Sequence, residues 1–95
     1  MAATASSGNS QSAAITMYTT VWCGDCHRAK YFLTERGISF QEINIDQSPE
    51  AEALVLRVNQ GRRKVPTFEV DGRYFASSPF DPYQIAEELK IPLNP

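Results

Sequence analysis

VWCGDCHRA, residues 21 to 29, sets Cys23 and Cys26 three positions apart and His27 directly after the second. Three chemistries use cysteines at this spacing: thiol–disulfide exchange, covalent haem attachment through C-x-x-C-H, and half of a zinc site. The flanking residues help to decide. Ile15-Thr16-Met17-Tyr18 is a short β-leaning run leading into the cysteines. From Gly24 the pattern turns helical, with Cys26, Ala29 and Leu33 at three- and four-residue spacing, Phe32 on the flank and Gly37 as a C-terminal stop. The cysteines therefore stand where a strand ends and a helix begins. In open α/β sheets that carboxyl edge is where sites usually form.

Outward from this junction the two periodicities alternate. Ser39 to Ile45 reads as a second strand, with Ile43 and Ile45 on one face. Ser48 and Pro49 are an N-cap and first-turn signal; Ala51, Leu54, Val55 and Val58 form the apolar stripe of a second helix, which Gly61 ends. Thr67 to Val70 and Arg73 to Ala76 are two β-rich runs joined by Asp71-Gly72, a tight hairpin loop. Asp81, Pro82 and Gln84 fit the N-cap, first turn and capping-box partner of a last helix carried by Ile85, Ala86 and Leu89. The order β-α-β-α-β-β-α predicts an α/β fold. Its first two strands pair in parallel through a right-handed crossover, and the hairpin adds two antiparallel strands. The product is a four-stranded mixed sheet covered by helices.

Composition narrows the function classes. The 95 residues with 42% apolar content make one small domain with room for a single core. A formal charge of −2 leaves no footprint for nucleic acid or an anionic membrane, and neither partner is expected. No apolar run approaches the roughly 20 residues that span a bilayer. Met1 to Ala14 is dominated by Ala, Ser, Thr, Gly, Asn and Gln, without the cationic start and apolar stretch of a secretory signal. The expectation is a cytoplasmic monomer with a disordered tail over 1–14 and a folded domain over 15–95. In a reducing compartment a close cysteine pair points to catalysis or metal binding rather than a structural staple.

The thiol chemistry follows from the junction. An ordinary cysteine, with a pKa of ~8.5, is only a few per cent thiolate at neutral pH. At a helix N-terminus the unpaired N–H groups and the positive end of the dipole stabilise the thiolate and can lower that pKa to about 3.5–7.5. This makes Cys23 the candidate nucleophile. Cys26, almost one turn later, is placed to attack a mixed disulfide on Cys23 and release the substrate as a thiol. A buried, inert pair is the plainer reading, and first-turn placement argues against it. A haem reading lacks a distal axial ligand: Met1 and Met17 both lie upstream, and there is no second histidine beside His27. Zinc would need a fourth ligand that the motif leaves unassigned. No metal site is expected, and His27 reads as a solvent-facing helix residue.

Val21-Trp22-Cys23-Gly24-Asp25-Cys26, Val65-Pro66-Thr67 and the Asp71-Gly72 hairpin, in that element order, resemble the glutaredoxin branch of the thioredoxin superfamily. The resemblance covers residues 15 to 90. Tyr18-Thr19-Thr20 ahead of the cysteines looks most like the mycoredoxin-like dithiol glutaredoxins. The resemblance implies a thiol–disulfide oxidoreductase with no bound cofactor. Its reductant would be a low-molecular-weight thiol, glutathione or mycothiol-like, and its substrates disulfide-containing proteins or mixed disulfides. It also implies a cis Val65–Pro66 bond facing the cysteines, whose backbone pairs with an extended substrate segment. Trp22 would shape the active-site surface; its plainer reading is a half-buried packing residue.

The family's usual Gly-Gly, followed three residues later by Asp, is here Ser77-Ser78-Pro79-Phe80-Asp81. Asp81 keeps the acidic position that holds a γ-glutamyl ammonium in the family. The side chains of Ser77 and Ser78, in place of the two glycines, are expected to obstruct the close backbone approach that glycine permits. Asp81 also reads simply as a helix cap. Arg62, Arg63 and Lys64 form either a solvated loop or a grip for a small thiol's carboxylate. Ser78-Pro79-Phe80-Asp81-Pro82 partly echoes the Trp-Ser-Gly-Phe-Arg-Pro stretch of redoxins that feed ribonucleotide reductase and are recharged by thioredoxin reductase; this is the second reading. A reading of another class is an iron–sulfur cluster carrier using Cys23 and an external thiol, distinguishable by visible absorbance. Asp25 sets two effects in opposition, favouring the helix dipole while repelling a nearby thiolate.

Overall fold

The structure, a computed structural model, describes residues 14–92. The expected tail over 1–14 therefore lies, apart from Ala14, outside the described residues. The chain runs β1 (Ile15–Thr19), α1 (Gly24–Glu35), β2 (Gln41–Asn44), a 3-10 turn (Ile45–Gln47), α2 (Pro49–Val58), β3 (Thr67–Val70), β4 (Arg73–Ala76) and α3 (Pro82–Leu89). The sheet order is β2-β1-β3-β4. β1 pairs parallel with β2 and antiparallel with β3, and β3 pairs antiparallel with β4. This is the mixed four-stranded sheet that the alternation of periods predicts.

Local chemistry explains most boundaries. α1 ends in a Schellman arrangement: Ile38 N–H donates to Leu33 O at 3.0 Å, Gly37 N–H donates to Thr34 O at 3.1 Å, and Gly37 takes φ +69°. Ser48 Oγ caps α2 by accepting from Ala51 N–H at 3.2 Å. Asp71 and Gly72, at φ +53° and +74°, both adopt the left-handed conformation of a two-residue hairpin loop. The second strand is shorter than its pattern. Asn44 Oδ1 accepts from Asp46 N–H at 2.8 Å, so an Asx turn ends β2 and puts Ile45 in the 3-10 turn.

Side-chain alternation sends β1 and β3 residues to opposite faces. Ile15, Met17, Phe68 and Val70 meet Ala29, Phe32 and Leu33 of α1 and Ile85 and Ala86 of α3. Tyr18 and Ile45 meet Ala51 and Val55 of α2 on the other face. Phe68 lies opposite Phe75 across the β3–β4 pair, the rings stacked at a centroid distance of 5.0 Å. The two layers hold the β1–α1 junction and the segment before β3 at one edge. Among the described residues no helix is long and apolar enough to cross a membrane.

Candidate active site

Cys23 is the N-cap of α1, with extended φ −106° and ψ 110°, and its Sγ accepts the Cys26 amide at 2.9 Å. The two cysteines form a disulfide with a Cα–Cα distance of 5.2 Å. They differ in access. Cys26 is fully buried, while Cys23 is only half-buried. Cys23 thus combines exposure with a helix N-terminus, the setting that favours a thiolate.

The segment before β3 closes the other side. Val65–Pro66 is cis, as the resemblance implies, and Ser78–Pro79 is cis as well. The carbonyl of Val65 lies 3.6 Å from Cys23 Sγ. Pro66 is fully buried and its carbonyl accepts from Ser77 N–H at 3.0 Å. It is therefore the backbone of Val65, rather than that of Pro66, that faces the sulfur.

Ser77 is a residue that sequence reasoning treated only as a replaced glycine. It is fully buried, and its Oγ accepts the Asp81 amide at 2.8 Å. The capping-box role expected of Gln84 is filled here by Ser77. The loop that leaves β4 delivers the Ser77 hydroxyl to the one orphan N–H that Gln84 would have reached. Asp81 caps α3 as expected, its Oδ1 accepting from Tyr83 and Gln84 N–H at 3.0 and 3.3 Å. Ser78 is half-buried on the same loop. Trp22 is 94% exposed, which overturns its half-buried packing reading.

The neighbouring charges are largely engaged. Arg63 bonds Glu52 at 2.8 Å and also Asp46, so of the three basic residues this one is taken by the protein's own carboxylates. The Glu52 bond, with Asp46, holds its guanidinium charged well above the usual range. Below the site, buried Thr19 donates its hydroxyl to Glu42 Oε2 at 2.7 Å, and Lys30 Nζ donates to the same oxygen at 3.1 Å. Burial pushes the Glu42 carboxyl up, but the bonds from Thr19 and Lys30 outweigh it and hold the group below its usual value. This network has no short-range sequence signal, because its members come from three elements. His27 is exposed as expected, yet its Nε2–H donates to Val21 O at 3.0 Å, tying α1 to the loop ahead of Cys23.

Asp25 points toward the α3 loop. Its Oδ1 accepts from Arg28 at 2.6 Å, and this bond, helped by the Phe80 backbone N–H, holds its carboxyl below the usual carboxylate range. The stabilisation from a lowered carboxyl is present above the unfolded-state value of ~3.9 and is lost as pH falls through the folded one. Asp25→Asn is therefore expected to flatten the acid side of the stability profile below about pH 4, read by denaturant melts across pH. The same change removes a negative charge near Cys23 and lowers that thiol's pKa by less than about one unit. Alkylation rates against pH check this, and an unchanged or higher thiol pKa would count against it.

These features have counterparts in known proteins. The family model described as glutaredoxin matches residues 15–75. The chain belongs to the glutaredoxin family. This glutaredoxin is 47% identical over 55 residues to a glutaredoxin-like protein of Mycobacterium tuberculosis, covering 58% of this chain. That match spans 66% of the relative's length, just under two thirds. It is 37% identical over 73 residues to the glutaredoxin-like protein NrdH of Lactococcus lactis, covering 77% of this chain and 96% of the relative. Among solved structures it resembles the NrdH-redoxin of Escherichia coli, with 36% identity and a TM-score of 0.63 over 85% of this chain and 95% of that one. That protein is described as glutaredoxin-like with a thioredoxin-like activity profile.

Proposed function

We propose that this chain is a dithiol thiol–disulfide oxidoreductase that reduces protein disulfides and mixed disulfides with low-molecular-weight thiols. One observation carries the reading: the accessible Cys23 sulfur sits at the α1 N-cap, 2.9 Å from the Cys26 amide, and closes a disulfide with a fully buried Cys26. In the reduced protein the Cys23 thiolate attacks a substrate disulfide sulfur. A Cys23–substrate bond forms, the substrate S–S bond breaks, and one sulfur leaves as a thiolate. Cys26, after losing its proton, attacks Cys23 Sγ. The second substrate sulfur leaves and the Cys23–Cys26 disulfide forms. Two electrons have passed to the substrate, and an external reductant restores the dithiol. Val65, beside the sulfur, would align an extended segment by strand addition. Trp22 and Ser78 would border that segment, and Asp81 would hold an ammonium group of a small thiol.

A second reading concerns the reductant. Ser77 N–H and Oγ are both bonded within the protein, and Asp81 Oδ1 is taken by the cap, leaving less for a small thiol to hold. With the nearly full-length similarity to NrdH proteins, this favours recharging by a thioredoxin reductase. The deciding experiment oxidises the protein and compares its reduction by glutathione, mycothiol and a thioredoxin reductase. Rapid recovery of two thiols from one source assigns that branch. A disulfide that none of the three reduces, in a protein that turns over no disulfide substrate, would overturn the oxidoreductase reading.

A further inference from the structure

A groove of about 690 Å³ runs between α1 and α3, walled by His27, Tyr31, Phe32, Arg36, Phe80 and Tyr83. Tyr31 and Tyr83 are 68% and 73% exposed, an unusual pair of rings to leave in water unless something covers them. The charge of the groove opposes that of the molecule. The chain carries −2 overall, yet the groove's lining holds Arg28 and Arg36 and no carboxylate. Arg28 is paired with Asp25. Arg36 forms no ion pair among the described residues. Its guanidinium lies 3.9 Å from the centroid of Phe32 and donates to Phe32 O at 3.2 Å. The stacked fork keeps further donors for a carboxylate, which it can grip in bidentate fashion.

One groove residue, His27, is tied to the loop ahead of the cysteines. His27 lines the groove and donates to Val21 O, next to the exposed Trp22 and two residues before Cys23. Arg36 stands thirteen residues after Cys23, which is about 20 Å along a helix. An extended chain covers that distance in roughly six residues.

We propose that the groove seats an acidic, aromatic-bearing extended segment flanking the reactive cysteine of a polypeptide substrate. The segment's carboxylate meets Arg36, and its apolar side chains lie between Tyr31 and Tyr83. The inference rests on the oxidoreductase reading and names the class of polypeptide that the site selects. Tyrosine and arginine are enriched among the anchors of such contacts: tyrosine offers a large rigid surface at little entropy cost, and arginine a planar fork that matches a carboxylate.

The test uses synthetic peptides with one cysteine held as a mixed disulfide with an uncharged small thiol. They carry a phenylalanine and either glutamate or lysine about six residues from the cysteine, on either side. Turnover is followed with dithiothreitol as recycling reductant, and each variant's rate on a small uncharged disulfide serves as its reference. The unmodified protein is expected to show a KM about three- to fivefold lower for the glutamate peptide, the range of one well-placed surface ion pair. Higher salt should shrink the difference. Arg36→Glu should reverse the preference, Arg36→Gln should erase it, and Tyr83→Ala should raise KM for both peptides. Equal KM values in the unmodified protein, or a glutamate preference that survives both Arg36 changes, would overturn the docking proposal. Failure to reduce any peptide or small disulfide is a different result, and it would overturn the oxidoreductase reading instead.

Discussion

Cys23→Ser is expected to bring disulfide reduction down to the background of the recycling thiol alone, while Cys26→Ser keeps part of the activity and accumulates a covalent adduct. The asymmetry follows from position. Cys23 is half-buried and capped by the Cys26 amide at 2.9 Å, so its thiolate is both reachable and stabilised. Serine at 23 keeps the cap, because a hydroxyl also accepts from the first-turn amide, but it offers no thiolate to attack sulfur. Cys26 has no exposed surface, so it meets only a sulfur already delivered to Cys23. Without it the first exchange proceeds and the second does not, leaving the substrate bound through Cys23 until an outside thiol releases it. Intact-mass measurement after incubation with an oxidised substrate reads the adduct directly. Equal loss of every activity in both variants, with no adduct on Cys26→Ser, would refute this division of labour.

Phe68→Ala should destabilise the fold by about 3–5 kcal/mol, a large share of the roughly 5–15 kcal/mol that holds such a domain together. Phe68 is fully buried, stacks on Phe75 and belongs to the cluster joining β1 and β3 to α1 and α3. Removing its ring leaves a cavity that flanking strands cannot close without breaking β-ladder bonds. For a domain of this size that loss lowers the midpoint of thermal unfolding by on the order of 15 °C or more. Urea melts with unchanged slope would attribute the loss to native-state packing. A loss under about 1 kcal/mol would show that the site relaxes and that Phe68 is not central to the core. Because Phe68 follows Pro66 by two residues, the same variant should also handle substrates poorly before it unfolds.

What the sequence determined by itself is what residues a few positions apart decide. Ser48 and Asp81 cap helices because a short polar side chain reaches amides two or three residues on. Asp71-Gly72 turns the chain because the loop needs two left-handed residues. The cysteines land at a strand–helix junction because the periodicity changes between Tyr18 and Gly24, and the element order follows. The boundary of β2 and the capping partner of α3 escaped this reading, since an Asx turn at Asn44 and a hydroxyl from Ser77 compete with the simpler local signals. The tertiary structure alone decided what depends on distant segments meeting. Val65 reaches Cys23 across 42 positions, and Thr19 and Lys30 converge on Glu42 from two other elements. Trp22 stands in solvent, and Tyr31 and Tyr83 face one groove from separate helices. A cap or a turn is set by bonds within one turn of chain, whereas these placements follow from how the sheet pairs and which helix faces it buries, and no short stretch of residues encodes that.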